Sequence, residues 1–60
     1  MPVDTHTLNA HITVAEGFLR EAGDALTARD LDELIKRLDG ARLHIQEAID
    51  TLVAGAREDL

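Results

Sequence analysis

The sequence predicts an all-α protein, a single domain of 60 residues that folds as an antiparallel two-helix hairpin. Apolar residues recur at alternating steps of three and four through two segments, which is the period of about 3.5 residues typical of helices packed side by side. Two similar octets, LREAGDAL and IQEAIDTL, end at Leu26 and Leu52, which indicates that both helices use one packing pattern. A short connection between the segments makes them antiparallel neighbours.

The first helix is predicted over about residues 5–27. Asp4 precedes it and is a favoured N-cap residue, because its carboxylate accepts hydrogen bonds from free backbone N–H groups of the first turn. Gly23 lowers the helix propensity, but Leu26 still falls on the apolar face, so the helix is expected to continue to about Thr27. The apolar seam of this helix consists of Leu8, Ile12, Ala15, Leu19, Ala22 and Leu26.

A loop at about residues 28–30 leads to the second helix, which is predicted over about residues 31–56. Asp30 is its N-cap, and Glu33 three positions later completes the pattern of a capping box. The last four residues, REDL, are expected to fray, because acidic side chains in a final helical turn oppose the helix dipole. The seam of this helix consists of Leu31, Leu34, Leu38, Ala41, Ile45, Ala48 and Leu52.

Large and small residues alternate along both seams, so that the large residues stand mostly at heptad position a and the small ones at position d. Alanine layers such as Ala15 with Ala41 allow the two backbones to approach closely. Folding the chain about Ala28 places Ile12 opposite Ile45, and such large side chains then project beyond the helix contact. Three further residues flank the seam and widen it, namely Phe18, Ile35 and Ile49.

Two helices alone cannot enclose these large residues, and a chain of this length has marginal stability without another source of burial. The sequence contains no cysteine, so a disulfide cannot supply it. We therefore expect the hairpin to dimerise into a four-helix bundle, with the seam and its flanking residues as core and oligomer interface. Val14, Leu43 and Val53 lie outside this surface; they are either tolerated single aliphatic residues or a second binding surface marked by Leu43.

Residue types that carry chemistry are scarce. The chain has no cysteine, no serine and no glycine-rich phosphate loop. A catalytic N-terminal Pro2, as in tautomerases, is not expected, because no segment shows the period-two pattern of strands. His6 and His11 point to different sides of one helix, and His44 with Glu47 reverses the Glu-x-x-His order of di-iron bundles. We therefore expect no enzyme activity, no metal site and no cofactor.

The formal net charge of −6 argues against nucleic-acid binding through phosphate neutralisation and against attachment to an anionic membrane. Basic residues alternate with acids, and i,i+4 pairs such as Glu33 with Arg37 are typical of a solvated helix surface. No segment has the ~20 apolar residues of a membrane span. The N-terminal residues lack the basic and apolar parts of a signal peptide, so we expect a cytoplasmic protein.

In length, hairpin plan and alternating core layers, the sequence resembles the repressor-of-primer family, whose members are dimers of helical hairpins; no motif is shared. The resemblance implies a four-helix bundle. That family binds paired RNA loops through a basic and aromatic face of its first helix. Here Arg20 has Glu16, Glu21 and Asp24 nearby, so this activity does not carry over.

The resulting functional prediction is a non-enzymatic protein–protein interaction or assembly module, a small homodimeric helical regulator. Its first expected partner is itself, and its second is another protein. The alternative is a nucleic-acid-linked regulator, either an RNA-binding hairpin dimer or an acidic mimic that inhibits a nucleic-acid-binding protein. Fold analogy alone does not decide between them.

Overall fold

The computed structural model describes residues 3–58, with Glu58 described by its backbone alone. The chain forms two antiparallel helices, α1 over Thr5–Thr27 and α2 over Leu31–Glu58, which pack against each other. Residues 3–58 contain no strand, so the all-helical hairpin is confirmed. The second helix includes the first two residues of the REDL segment; Pro2, Asp59 and Leu60 lie outside the described residues. Neither helix carries, within that range, an apolar stretch long enough to cross a membrane.

Helix α1 begins at the predicted N-cap. Asp4 has an extended backbone, and its carboxylate accepts two hydrogen bonds from Thr7, one from the backbone N–H at 3.1 Å and one from the hydroxyl at 2.6 Å. The hydroxyl bond, followed by the backbone bond, holds the pKa of Asp4 below its ordinary value, because both favour the ionised carboxylate.

The connection between the helices is a tight turn with a left-handed residue. The N–H of Asp30 donates to the carbonyl of Ala25 at 2.9 Å, and the N–H of Arg29 donates to the carbonyl of Leu26 at 3.0 Å. This pair of bonds is the Schellman arrangement that ends many helices. Arg29 takes the left-handed position with φ of 58°, where glycine is the usual residue.

Helix α2 begins at Asp30, whose carboxylate accepts a hydrogen bond from the N–H of Glu33 at 3.1 Å. The reciprocal half of the predicted capping box is wrong. The Glu33 carboxylate binds the guanidinium of Arg37 at 2.6 Å instead, in a charge-assisted hydrogen bond. The N–H of Asp30 is already engaged by Ala25, so the cap needs no second partner.

The contact between the helices is built from small side chains. Among the described side chains, the buried apolar ones are Ala15, Ala22, Ala25, Ala41 and Ala48. Four of them stand at predicted d positions, whereas Ala25 was not predicted as core. The large aliphatic residues of the predicted seam and flanks are instead 44–64% exposed in the hairpin: Ile12, Leu19, Leu26, Leu31, Ile35, Leu38, Ile45, Ile49 and Leu52.

The hairpin is a thin rod that measures 47 × 15 × 9 Å. Its radius of gyration is 14.1 Å, whereas a compact domain of this length has about 10 Å. Its accessible surface is 4599 Å², compared with about 3,800 Å² for a compact monomer of this mass. One hairpin therefore leaves much more surface in water than a globular chain of the same size.

Candidate functional site

Two features of the hairpin are candidates for function: an uncovered aliphatic face and a cluster of polar side chains at its edge. The aliphatic face consists of the nine exposed large residues named above. The half of this face that lies away from the turn borders a groove of about 320 Å³ between the helices, with alanines at the floor and large aliphatic side chains on both walls. Ile12 and Leu19 stand on the α1 side, and Ile45 and Leu52 stand on the α2 side.

Three predicted interface residues are more enclosed than this face. Leu8 and Leu34 are half-buried along the seam, and so is Phe18. The ring of Phe18 lies against the backbone of α2 at Gly40, where an added Cβ would stand 2.7 Å from its Cε1 atom. A side chain at position 40 would therefore displace the Phe18 ring, and this contact across the hairpin was not predicted. The signal that could have revealed it is not local: the predicted antiparallel pairing brings an aromatic residue of α1 close to a mid-helix glycine of α2.

Beside the face lies the histidine–glutamate cluster, formed by His11 from α1 and His44 and Glu47 from α2. The Nδ1 atoms of the two histidines are 3.4 Å apart. The Oε2 atom of Glu47 lies 3.1 Å from Nδ1 of His11 and 4.0 Å from Nδ1 of His44. Three atoms that can each donate a lone pair thus converge on one point between the helices.

Packing against neighbouring rings orients the histidines. The ring of Phe18 stacks on His44, with centroids 5.7 Å apart and an interplanar angle of 25°. The two imidazole rings are also 5.7 Å apart and tilted by 40°. The side chains of His11, His44 and Glu47 are 22%, 30% and 55% exposed, so the cluster opens to solvent on its glutamate side.

Within a single helix the histidines form no set of metal ligands, and for that reason no metal site was expected. The pairing of Ile12 with Ile45 was nevertheless sufficient to find the cluster. His11 and His44 each precede one member of that pair, and they occupy the same flank when the helices run antiparallel. Metal-binding side chains can therefore come together across a predicted hairpin as well as along one helix.

Two arginines on the remaining surface form ion pairs with carboxylates. Arg37 contacts Glu21 of the other helix at 2.9 Å and Glu33 of its own helix at 2.6 Å. Arg42 contacts Asp39 at 2.7 Å. These two arginines therefore have carboxylate partners already, which reduces their capacity to contact phosphate groups.

Val14, Leu43 and Val53, the predicted second surface, are all exposed. Leu43 and Val53 lie ten residues apart on one helix, which separates them by about 15 Å along the axis and about 80° around it. Val14 borders a shallow groove on the other helix, beside Phe18. A second binding surface marked by Leu43 stays a prediction.

Comparison of the chain with protein-family models, with curated proteins and with solved structures found no match.

Proposed function

We propose that this chain is a non-enzymatic protein–protein interaction module that acts as a homodimer. Two hairpins pair through the aliphatic face to form a four-helix bundle, with the heptad seam as its core. The observation that carries this proposal is the exposure of nine large aliphatic side chains of the seam and its flanks, in a hairpin whose buried side chains, among those described, are all alanine.

The size of the uncovered surface fits a second copy of the chain. The accessible surface of the hairpin exceeds that of a compact monomer by about 800 Å². Each partner of a standard protein interface buries about 800 Å². A two-fold axis is the commonest arrangement for identical chains, and it covers the face of both hairpins at once.

The free energy involved is large for a chain of this size. Full burial of a Leu or Ile side chain contributes about 1.5–3 kcal/mol. Ile12, Leu19, Leu38 and Ile45 are each nearly half exposed, so covering these four contributes about 3–6 kcal/mol per chain. Domains below about 70–80 residues rarely obtain more than 3–5 kcal/mol from one core. Pairing therefore decides whether the chain folds.

The RNA-binding form of the nucleic-acid alternative has less support. It rests on the resemblance to an RNA-binding hairpin family, and that family uses a basic face. Here the net charge is −6, and Arg37 and Arg42 contact carboxylates. RNA phosphate groups would have to displace those carboxylates before they could bind the guanidinium group of either arginine.

Two leucines of α2 provide a matched test of the dimer. Leu38, on the aliphatic face, is 47% exposed, and Leu43, outside it, is 50% exposed. If the chain were a monomer, aspartate at either position would have a similar effect. In the dimer, Leu38→Asp buries a charge at the interface and should abolish both association and folding, whereas Leu43→Asp should change neither.

Analytical ultracentrifugation and circular dichroism measure both properties. Wild type and Leu43→Asp should sediment with twice the chain mass of 6.5 kDa and should be helical. A wild-type protein that is folded and sediments as a single chain at micromolar concentration would contradict the proposal. In that case the aliphatic face would remain available to a different protein.

A further inference from the structure

We infer that His11, His44 and Glu47 form a binding site for a divalent transition-metal ion, Zn²⁺ in particular, which links the two helices. This site does not depend on the proposed dimer, because all three ligands belong to one hairpin. It differs from the expectation of no metal site, because that expectation compared the histidines along single helices and not across the hairpin.

The distances match a tetrahedral zinc ion. Zinc binds imidazole nitrogens at about 2.0–2.1 Å, so that two nitrogens on one tetrahedral ion lie about 3.3–3.4 Å apart. The Nδ1 atoms of His11 and His44 are 3.4 Å apart, and Oε2 of Glu47 is 3.1 Å from the first of them. The third distance, from Oε2 of Glu47 to Nδ1 of His44, is 4.0 Å. Rotation of the exposed glutamate side chain can shorten this third distance to the tetrahedral value, a change of under about 1 Å.

The hydrogen-bonding capacity of the cluster also favours a cation. A neutral imidazole carries either a proton or a lone pair on Nδ1, and an ionised carboxylate carries lone pairs alone. When both histidines are neutral, a proton on His11 cannot point fully at both His44 and Glu47. A metal ion accepts a lone pair from all three atoms at once. The two imidazoles and one carboxylate are also a ligand set that zinc uses in proteins, with water at the fourth position.

The surroundings hold the ligands in place and leave an entry path. The ring of Phe18 stacks on His44 and limits the movement of that imidazole. Glu47 is more exposed than either histidine, so the ion can enter from the solvent side of the cluster. Because the ligands come from both helices, the bound ion would connect α1 to α2 and stabilise the hairpin by linkage.

The test is a zinc titration of the tag-free protein, after chelator treatment and dialysis, followed by isothermal calorimetry and competition with a colorimetric zinc indicator. We expect one Zn²⁺ per chain and a rise in the melting temperature that a chelator reverses. His11→Ala and His44→Ala should weaken zinc binding by at least about tenfold. His6→Ala is the matched control, because His6 is exposed on α1 and lies outside the cluster.

Glu47→Gln covers the case in which a histidine variant fails to fold. This substitution preserves the size of an exposed side chain, so the protein should fold. It weakens one ligand, so the zinc affinity should fall. Proton NMR of the wild type provides a second readout: zinc should shift the imidazole signals of His11 and His44 and leave those of His6 in place. Wild-type protein that does not bind zinc in the micromolar range would overturn the inference. An equal loss of affinity in His6→Ala would also overturn it.

Discussion

Arg29 has the left-handed backbone conformation that ends α1. A Cβ atom makes this conformation unfavourable by about 1–2 kcal/mol, and glycine avoids that cost. We expect Arg29→Gly to be more stable than Arg29→Ala by about 1 kcal/mol. Both variants lack the arginine side chain, so the comparison isolates the Cβ. Chemical denaturation provides the measurement, and equal stabilities would show that the turn is not left-handed in solution.

Gly40 tests the close approach of Phe18. Gly23 lies inside α1, one turn before its end, and is exposed with open space around it, so Gly23→Ala should stabilise the protein by about 0.5–1 kcal/mol through helix propensity. Gly40→Ala has the same propensity gain but forces the Phe18 ring to move. Overpacking of this kind costs about 1–3 kcal/mol, so we expect a net loss of stability.

Repeating the Gly40 substitution in a chain that also carries Phe18→Ala tests whether the ring is the cause of the expected destabilisation. In a Phe18→Ala chain the ring is gone, and Gly40→Ala should then stabilise as Gly23→Ala does. Chemical denaturation of the wild type, the two single variants Phe18→Ala and Gly40→Ala, and the double variant gives four free energies of unfolding. Their differences give the coupling energy between the two positions. If Gly40→Ala stabilises the wild type as much as Gly23→Ala, Phe18 does not lie where the structure places it.

Local features were predictable at this scale and non-local ones were not. Asp4 and Asp30 were recognised as caps because an N-cap depends on its own side chain and the next three residues. The turn at Arg29 was not recognised as left-handed because its usual marker, glycine, is absent. The contact of Phe18 with Gly40 joins residues on different helices, so no local pattern reveals it.

At the scale of the elements, the alanine contact sets how closely the helices approach. Ala15 and Ala41 are both buried, and we expect them to touch across the hairpin. Ala15→Leu should therefore destabilise the protein by roughly 1–3 kcal/mol through overpacking. Ala10→Leu is the control on the same helix, because Ala10 is exposed and its replacement should change stability by less than about 0.5 kcal/mol. Unchanged melting of Ala15→Leu would contradict the predicted layers.

The helices were predictable because periodicity and caps indicate the same segments. The hydrogen-bond and ion-pair partners of side chains within the helices were less predictable. Glu33 fits the capping-box pattern, yet Arg37 one turn later offers a charged donor and binds its carboxylate. Two local patterns competed for one side chain, and sequence alone did not rank them.

For the whole molecule, the proposed pairing links stability to concentration. If folding and association are coupled, mass action raises the melting temperature as the chain concentration increases. We expect this rise for wild type and for Leu43→Asp, measured by circular dichroism over a hundredfold range. A melting temperature independent of concentration would indicate that one hairpin is stable alone.

The candidate sites differ in how far the sequence revealed them. The aliphatic face could be predicted, because it follows from the alternation of large and small residues. The histidine–glutamate cluster was missed, although the predicted pairing of Ile12 with Ile45 already brought its members together. Its discovery required a comparison of neighbours across the hairpin, where the distance along the chain is large and the distance in space is short.

The alanine interior also leaves the alignment of the two helices poorly specified by the core itself. Ala15 and Ala22 on α1 are spaced by one heptad, as are Ala41 and Ala48 on α2, so sliding one helix by seven residues in one direction would place Ala22 against Ala41 and Ala15 against Ala48. Such a slip would separate Phe18 from Gly40. The tight turn and the contact of Phe18 with Gly40 therefore set the register, and the two helices supplied as separate peptides could also pair in the shifted alignment.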